Sequence, residues 1–213
     1  MDTAAYLSFF LASFTTLFII IDPPGNLPIF IALTERFSDR YREKISKRAT
    51  IIAFLIFFIT TVTGGKVLDY FGVSISSLKI AGGVLLFISS VDILLGGTRR
   101  EAYRRRAEES IDVDSIAVFP LALPLYTGPG AITAGIVLYS QAEDVIMKLI
   151  VVLSAVLVYS VVRLSHIYSA PIIRFLGRSG ADIAARILAI FLAAIAVEFV
   201  FDGLAEKMVS TGL

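Results

Sequence analysis

The chain has 213 residues, is 57% hydrophobic with a mean hydropathy of +0.85, and carries a formal net charge of +1. Its charged residues, 17% of the total, gather in a few short stretches instead of covering a surface, which excludes an ordinary water-soluble globule and points to a polytopic membrane protein. With no cysteine there is no disulfide, thiolate or cysteine-based metal centre; a single histidine leaves little for a zinc cluster, and nothing calls for a cofactor or a nucleic-acid partner.

Residues 3 to 21, 49 to 65 and 115 to 142 contain no charged side chain. Apolar runs of about 18 residues or more read as spanning helices. Bounded by charge, the expected spans lie near 7 to 33, 49 to 71, 78 to 97, 115 to 140, 146 to 170 and 184 to 204. Asp2 precedes the first run with no basic residue beside it, and the run exceeds signal-peptide length, so it reads as a span and not as a cleaved leader. Between Thr34 and Arg48, Phe37, Tyr41 and Ile45 recur every fourth residue among charges. That spacing suits either a short helix on the inner interface or a solvated turn.

The first and fourth expected spans are each interrupted. Asp22-Pro23-Pro24-Gly25-Asn26-Leu27-Pro28 and Thr127-Gly128-Pro129-Gly130-Ala131-Ile132-Thr133 place Pro-Gly pairs 105 residues apart. Phe71-Gly72-Val73-Ser74 matches Leu176-Gly177-Arg178-Ser179 at the same offset, and Lys79-Ile80 through Gly96 matches Arg186-Ile187 through Gly203 at an offset of 107. The fold expected is all-α: six transmembrane helices in two three-helix units, 1 to 97 and 115 to 213, joined by a polar cytoplasmic linker at 98 to 114. An odd number of spans per unit makes the two units inverted repeats. Thirteen Lys and Arg residues fall in alternate loops, from Arg36 to Arg48, Arg99 to Arg106 and at Arg174 and Arg178, against four on the other side, Lys66, Lys79, Lys148 and Lys207. The positive-inside rule then puts both termini outside.

Asp22 before Pro23 is an N-cap residue before a favoured first helical residue, and Thr127 can cap the fourth helix in the same way. Each restarted helix, opening with Pro24 and Gly25 or with Gly128 and Gly130, is expected to present unpaired backbone N–H groups and a positive dipole end. The breaks lie 14 to 17 residues into their spans, roughly 21 to 25 Å at 1.5 Å per residue. In inverted units the two ends approach each other and make a cradle for a carboxylate. Asn26, Thr127 and Thr133 add short polar groups, while carbonyl ends and Asp22 receive an ammonium group, so the natural guest is a small zwitterion. Tyr126 either lines the cavity or fills space. The bland alternative is that each break is only a kink.

Ionisable groups inside spans are functional by default because they are expensive in lipid. Here they are Asp22, Asp92, Arg163, His166 and Glu198. Asp22, Asp92 and Glu198 are candidate proton carriers; Asp92 and Glu198 alternatively pair with Arg163 as structural ions. His166, near the end of the fifth span, reads as an interfacial hydrogen-bonding residue.

The run Leu17 to Phe30 around the first break, Pro120 to Thr133 around the second, and Ile80-Ala81-Gly82-Gly83-Val84-Leu85-Leu86-Phe87 together resemble signatures of the MarC-type membrane protein family, over essentially the whole chain. The resemblance implies a six-helix inner-membrane carrier of small neutral amino acids, with glycine, alanine, serine or threonine as substrates and a proton gradient as driver. Three alternatives remain: an exporter of drugs or other small solutes, an intramembrane hydrolase using Ser160 and His166, and an assembly scaffold.

Overall fold

The computed structural model describes residues 3–96 and 113–211, and every regular element among them is helical. Most of the expected 98 to 114 linker lies outside the described residues. The first span is built from α1 (Thr3–Ile21) and α2 (Pro23–Thr34), separated by Asp22 alone. Asp22 takes left-handed angles, φ 50° and ψ 62°, which a short polar side chain tolerates better than most. Pro23 supplies the preset φ of a first helical residue. The 19 residues of α1 put this break roughly 28 Å along the span, further than the sequence suggested, because the helix already begins at Thr3.

The next helix, α3 (Asp39–Tyr70), runs unbroken for 32 residues. The expected interfacial helix between Thr34 and Arg48 is therefore mostly its first turns: no Pro or Gly separates Asp39 from Ala49, and extending an existing helix is far easier than nucleating a new one. Gly72, at φ 66°, ends α3, and Ser74 caps α4 (Ile75–Leu94) by accepting the Ser77 N–H at 3.2 Å.

The second half begins with a short α5 (Val113–Ile116) that runs into α6 (Ala117–Tyr126), a wide, irregular segment with π-type hydrogen bonding. Phe119 and Leu123 are extended, at ψ 125° and 127°, and each precedes a proline. The proline ring clashes with a helical residue before it, so two prolines four residues apart loosen the coil twice. After Thr127 the chain turns by 57° into α7 (Pro129–Gln141). It then continues through α8 (Val145–Ile167) and α9 (Ser169–Thr211), which Gly177 breaks at φ 68°. Gly72 and Gly177, paired in the sequence, both take a positive φ. Among the described residues five helices are long and apolar enough to cross a membrane, and the bent α5/α6–α7 pair, counted as one span, makes six.

Helices gain little hydrophobic free energy from one another in lipid, so close packing at small residues matters more. α4 and α9 make the most extensive contact. There, a Cβ on Gly83 would lie 2.7 Å from the Ala196 carbonyl, and one on Gly203 the same distance from the Ser76 carbonyl. The same seam holds an ion pair, Lys79 Nζ to Glu206 Oε1 at 2.5 Å, with the lysine 2% exposed and the glutamate 50%. Glu206→Ala strands the buried ammonium and is expected to destabilise the protein by roughly 1–3 kcal/mol, less than for a fully buried pair because Glu206 is half in solvent. A lower melting temperature in detergent checks this, with Lys79→Met in the Glu206→Ala background recovering most of it.

At the α7–α8 turn, Asp144 caps α8 by accepting the Met147 N–H at 2.8 Å, and it also accepts the Tyr6 hydroxyl of α1 at 2.8 Å. The Met147 N–H first, and Tyr6 second, hold its carboxyl below the usual carboxylate value. Since the folded value is lowered, this stabilisation is complete above the ordinary carboxylate range and fades as pH falls through the lowered value. Tyr6→Phe is expected to shrink the gap in thermal stability between neutral and strongly acidic buffer; an unchanged gap would show that Tyr6 plays no part.

Candidate functional site

The two breaks have different chemistry. At the first, Pro23 and Pro24 have no N–H, the Gly25 N–H goes to Asp22 Oδ1 at 3.0 Å, and the Asn26 N–H goes to the Asp22 carbonyl at 3.1 Å. The expected open donors at the start of α2 are thus absent or already used. Asn26 also donates its side-chain amide to the Ile21 carbonyl at 2.8 Å, which satisfies the end of α1 across the gap. A Cβ on Gly25 would run into the Asp22 carboxylate, so the cap itself requires glycine there. Pro24 is half-buried beside it.

At the second break the N-cap of α7 is Gly128, extended at ψ 178°, and no side chain caps the helix. Thr127 does not take the capping role. It is fully buried, donates its hydroxyl to the Ala53 carbonyl of α3 at 2.8 Å, and sits 2.6 Å from the Tyr159 hydroxyl of α8. Pro129 brings no N–H, so the first amides of α7 that can serve a ligand are those of Gly130 and Ala131. The positive end of the α7 dipole is therefore concentrated at these two residues.

A cavity of about 260 Å³ joins the two breaks. Asp22 and Asn26 form one wall, Tyr126, Gly128, Gly130 and Ala131 another, and Leu86, Ser89 and Asp92 of α4 close it, with Leu192 of α9. Asp22 is 4% exposed. Six residues expected from the sequence thus meet here: Asp22, Asn26, Asp92, Tyr126, Gly128 and Gly130. The others stand outside. Thr133 is buried one turn further along α7, filling the place a side chain on Gly82 would take, and Glu198 is exposed on α9 away from the cavity. A side chain on Gly130 would meet Leu86, so this glycine sets how closely α7 approaches α4. Ser89 is a lining residue that the sequence reading does not single out; its place one turn before Asp92, on the same face of α4, is the signal that points to it.

Behind the cavity lies a buried polar chain. The Tyr126 hydroxyl is 2.6 Å from His166 Nε2, His166 Nδ1 is 2.9 Å from the Ser46 hydroxyl, and Arg163 Nη1 donates to Ser46 Oγ at 2.6 Å. The His166 ring stacks on Phe30 with centroids 3.7 Å apart. His166, one residue before the end of α8, hydrogen-bonds as expected, but at 3% exposed it does so inside the bundle, as a partner of Tyr126 and Ser46. Arg163 faces Glu43 at 3.4 Å in place of Asp92 or Glu198. The reason is geometric: α8 packs against α3 here, with Arg163 and His166 one turn apart on the face that meets Ser46.

One cavity is therefore lined both by residues that open a helix with unpaired backbone donors, Gly130 and Ala131, and by two carboxylate residues, Asp22 and Asp92. Comparison with known proteins agrees with a membrane role. A family model described as MarC family integral membrane protein matches residues 7–208. A UPF0056 membrane protein of Archaeoglobus fulgidus is 92% identical over the full length of both chains. One from Methanocaldococcus jannaschii is 34% identical, covering 93% of this chain and 97% of its own. The UPF0056 membrane protein YhcE of Escherichia coli is 31% identical, covering 95% and 93%. No solved structure matches. The chain is a multi-pass integral membrane protein and belongs to the MarC family.

Proposed function

We propose that this protein is a secondary carrier of small neutral amino acids such as glycine, alanine, serine and threonine. The observation that carries the reading is the cavity between the breaks, lined by the uncapped start of α7 at Gly130 and Ala131 together with Asp22 and Asp92. The amides and the α7 dipole receive the carboxylate of a zwitterion; the two aspartates receive its ammonium. At about 260 Å³ the space falls below the 300–1,000 Å³ of drug-sized ligand sites, which disfavours export of bulky compounds. Ser160 donates to the Val156 carbonyl and both His166 nitrogens engage other residues, so a Ser160–His166 hydrolase gains no support.

In this reading the protein sits in the cell membrane with both termini outside, as its basic loops suggest. The two halves act as inverted repeats that rock about the cavity, exposing it to each side in turn. A proton gradient drives the cycle, with Asp22 or Asp92 taking up the proton; the placement of Glu198 makes it the weakest of the three candidates. The test is uptake of radiolabelled glycine and alanine into proteoliposomes with and without an imposed pH gradient. Saturable uptake stimulated by the gradient is expected. No uptake from folded, correctly inserted protein would overturn the reading.

A further inference from the structure

A second cavity, an open groove of about 560 Å³ lined in part by Tyr159, lies between α3 and α8. Its floor is mainly apolar, with Ile51, Phe54 and Leu55 from α3 and Val156 from α8, and the hydroxyls of Thr50 and Ser160, which also line it, donate to backbone carbonyls of their own helices. The groove has a polar end, because α3 runs away from Lys47 while α8 runs toward Arg163, which brings the two cations to the same end. From there the apolar floor continues for seven or eight residues on each helix, roughly 10–12 Å. Arg163 lies four residues before the end of α8, the level of lipid headgroups, at the end of the bundle that carries Arg40, Arg42, Lys44 and Arg48.

The two cations differ in their engagement. Arg163 gives one nitrogen to Ser46 at 2.6 Å and faces Glu43 at 3.4 Å. Lys44 and Arg48 both pair with Asp114, whereas Lys47 forms no ion pair among the described residues. Among the described residues Glu43 is thus the one carboxylate paired with either cation of the groove, and the balance there is positive.

We propose that this groove binds one anionic membrane lipid, its phosphate held between Lys47 and Arg163 and one chain lying along Ile51, Phe54, Leu55 and Val156. Charge complementarity at headgroup depth and an apolar trough leading from it are the two features such a ligand needs. A soluble anion would use the first and leave the second empty. The proposal does not depend on what the cavity between the breaks carries.

The test is native mass spectrometry of the full-length protein in detergent, mixed with equal amounts of phosphatidylglycerol and phosphatidylcholine. One retained phosphatidylglycerol in preference to phosphatidylcholine is expected. Lys47→Gln should lower that retention roughly fivefold, the effect of one basic side chain at an anionic headgroup. Leu55→Trp, which fills the trough and leaves the charges intact, should lower it comparably. Lys148→Gln, at the start of α8 and far from the groove, should leave it unchanged. Lys47 and Leu55 are exposed, so neither substitution threatens the fold as Arg163→Gln does. Equal retention of both lipids by the unaltered protein would overturn the proposal. So would retention that survives either Lys47→Gln or Leu55→Trp, or that falls equally with Lys148→Gln.

Discussion

Gly130→Val is expected to abolish amino-acid uptake while the protein remains in the membrane at normal abundance. A Cβ at this position runs into the Leu86 side chain, with Leu86 Cγ at 2.9 Å, so even alanine forces α7 and α4 apart or pushes Leu86 into the cavity. Overpacking of this kind costs about 1–3 kcal/mol in a packed interior, which a six-helix membrane protein tolerates. The site tolerates it less, because the displaced atoms move into the space where the Gly130 and Ala131 amides meet the ligand carboxylate. Gly130→Ala should therefore reduce uptake at least about tenfold, the loss that follows from weakening one hydrogen bond to a charged group. Leu86→Ala in the same chain removes the colliding atoms and should restore part of the rate. The check is initial uptake per inserted molecule in proteoliposomes. Full uptake by an inserted Gly130→Val protein would place the substrate site elsewhere.

Asp22→Asn is the second large effect, and its value lies in what it leaves intact. Asparagine tolerates the left-handed backbone at φ 50° and keeps an oxygen to accept the Gly25 N–H, so both the break and the cap of α2 survive. Only the charge is lost. Uptake should fall at least about tenfold with thermal stability within about 1 kcal/mol of the original, since a hydrogen bond to a charged group contributes about 1.5–3 kcal/mol. Asp22→Ala removes the cap as well, at about 1 kcal/mol, and adds about 1–2 kcal/mol for a left-handed residue without a local hydrogen bond. It should lower the melting temperature as well as uptake. Undiminished uptake by Asp22→Asn would remove the Asp22 charge from binding and coupling.

The two breaks were legible because proline and glycine act locally: Pro23 sets the start of α2 and Pro129 that of α7, whatever surrounds them. The length of the apolar runs and the charges that bound them locate the spans for the same reason. The chemistry of the first break was also written in the chain, since Pro23 and Pro24 cannot donate, a constraint that the helix dipole by itself does not contain. Likewise Phe119-Pro120 and Leu123-Pro124 carried the signal for the irregular α6. Other features depend on tertiary packing and leave no local trace. Whether Asp92 or Glu198 reaches the cavity depends on how α4 and α9 rotate against α7. That rotation is set by contacts such as Gly82 on Thr133 and Gly83 on Ala196, which alternate along helices apolar on nearly every face. His166 meets Tyr126 across 40 residues and Ser46 across 120, and only the folded bundle brings them together.

The most direct measurement of the zwitterion site is equilibrium binding of three compounds to the purified protein: alanine, alaninamide, which lacks the carboxylate, and propionate, which lacks the ammonium. Alanine is expected to bind saturably and each single-charge analogue at least about tenfold more weakly, because each leaves one wall of the cavity without its partner. Alaninamide or propionate binding as well as alanine, or binding of all three unaffected by Asp22→Asn and Gly130→Val, would contradict a zwitterion site between Asp22 and the start of α7.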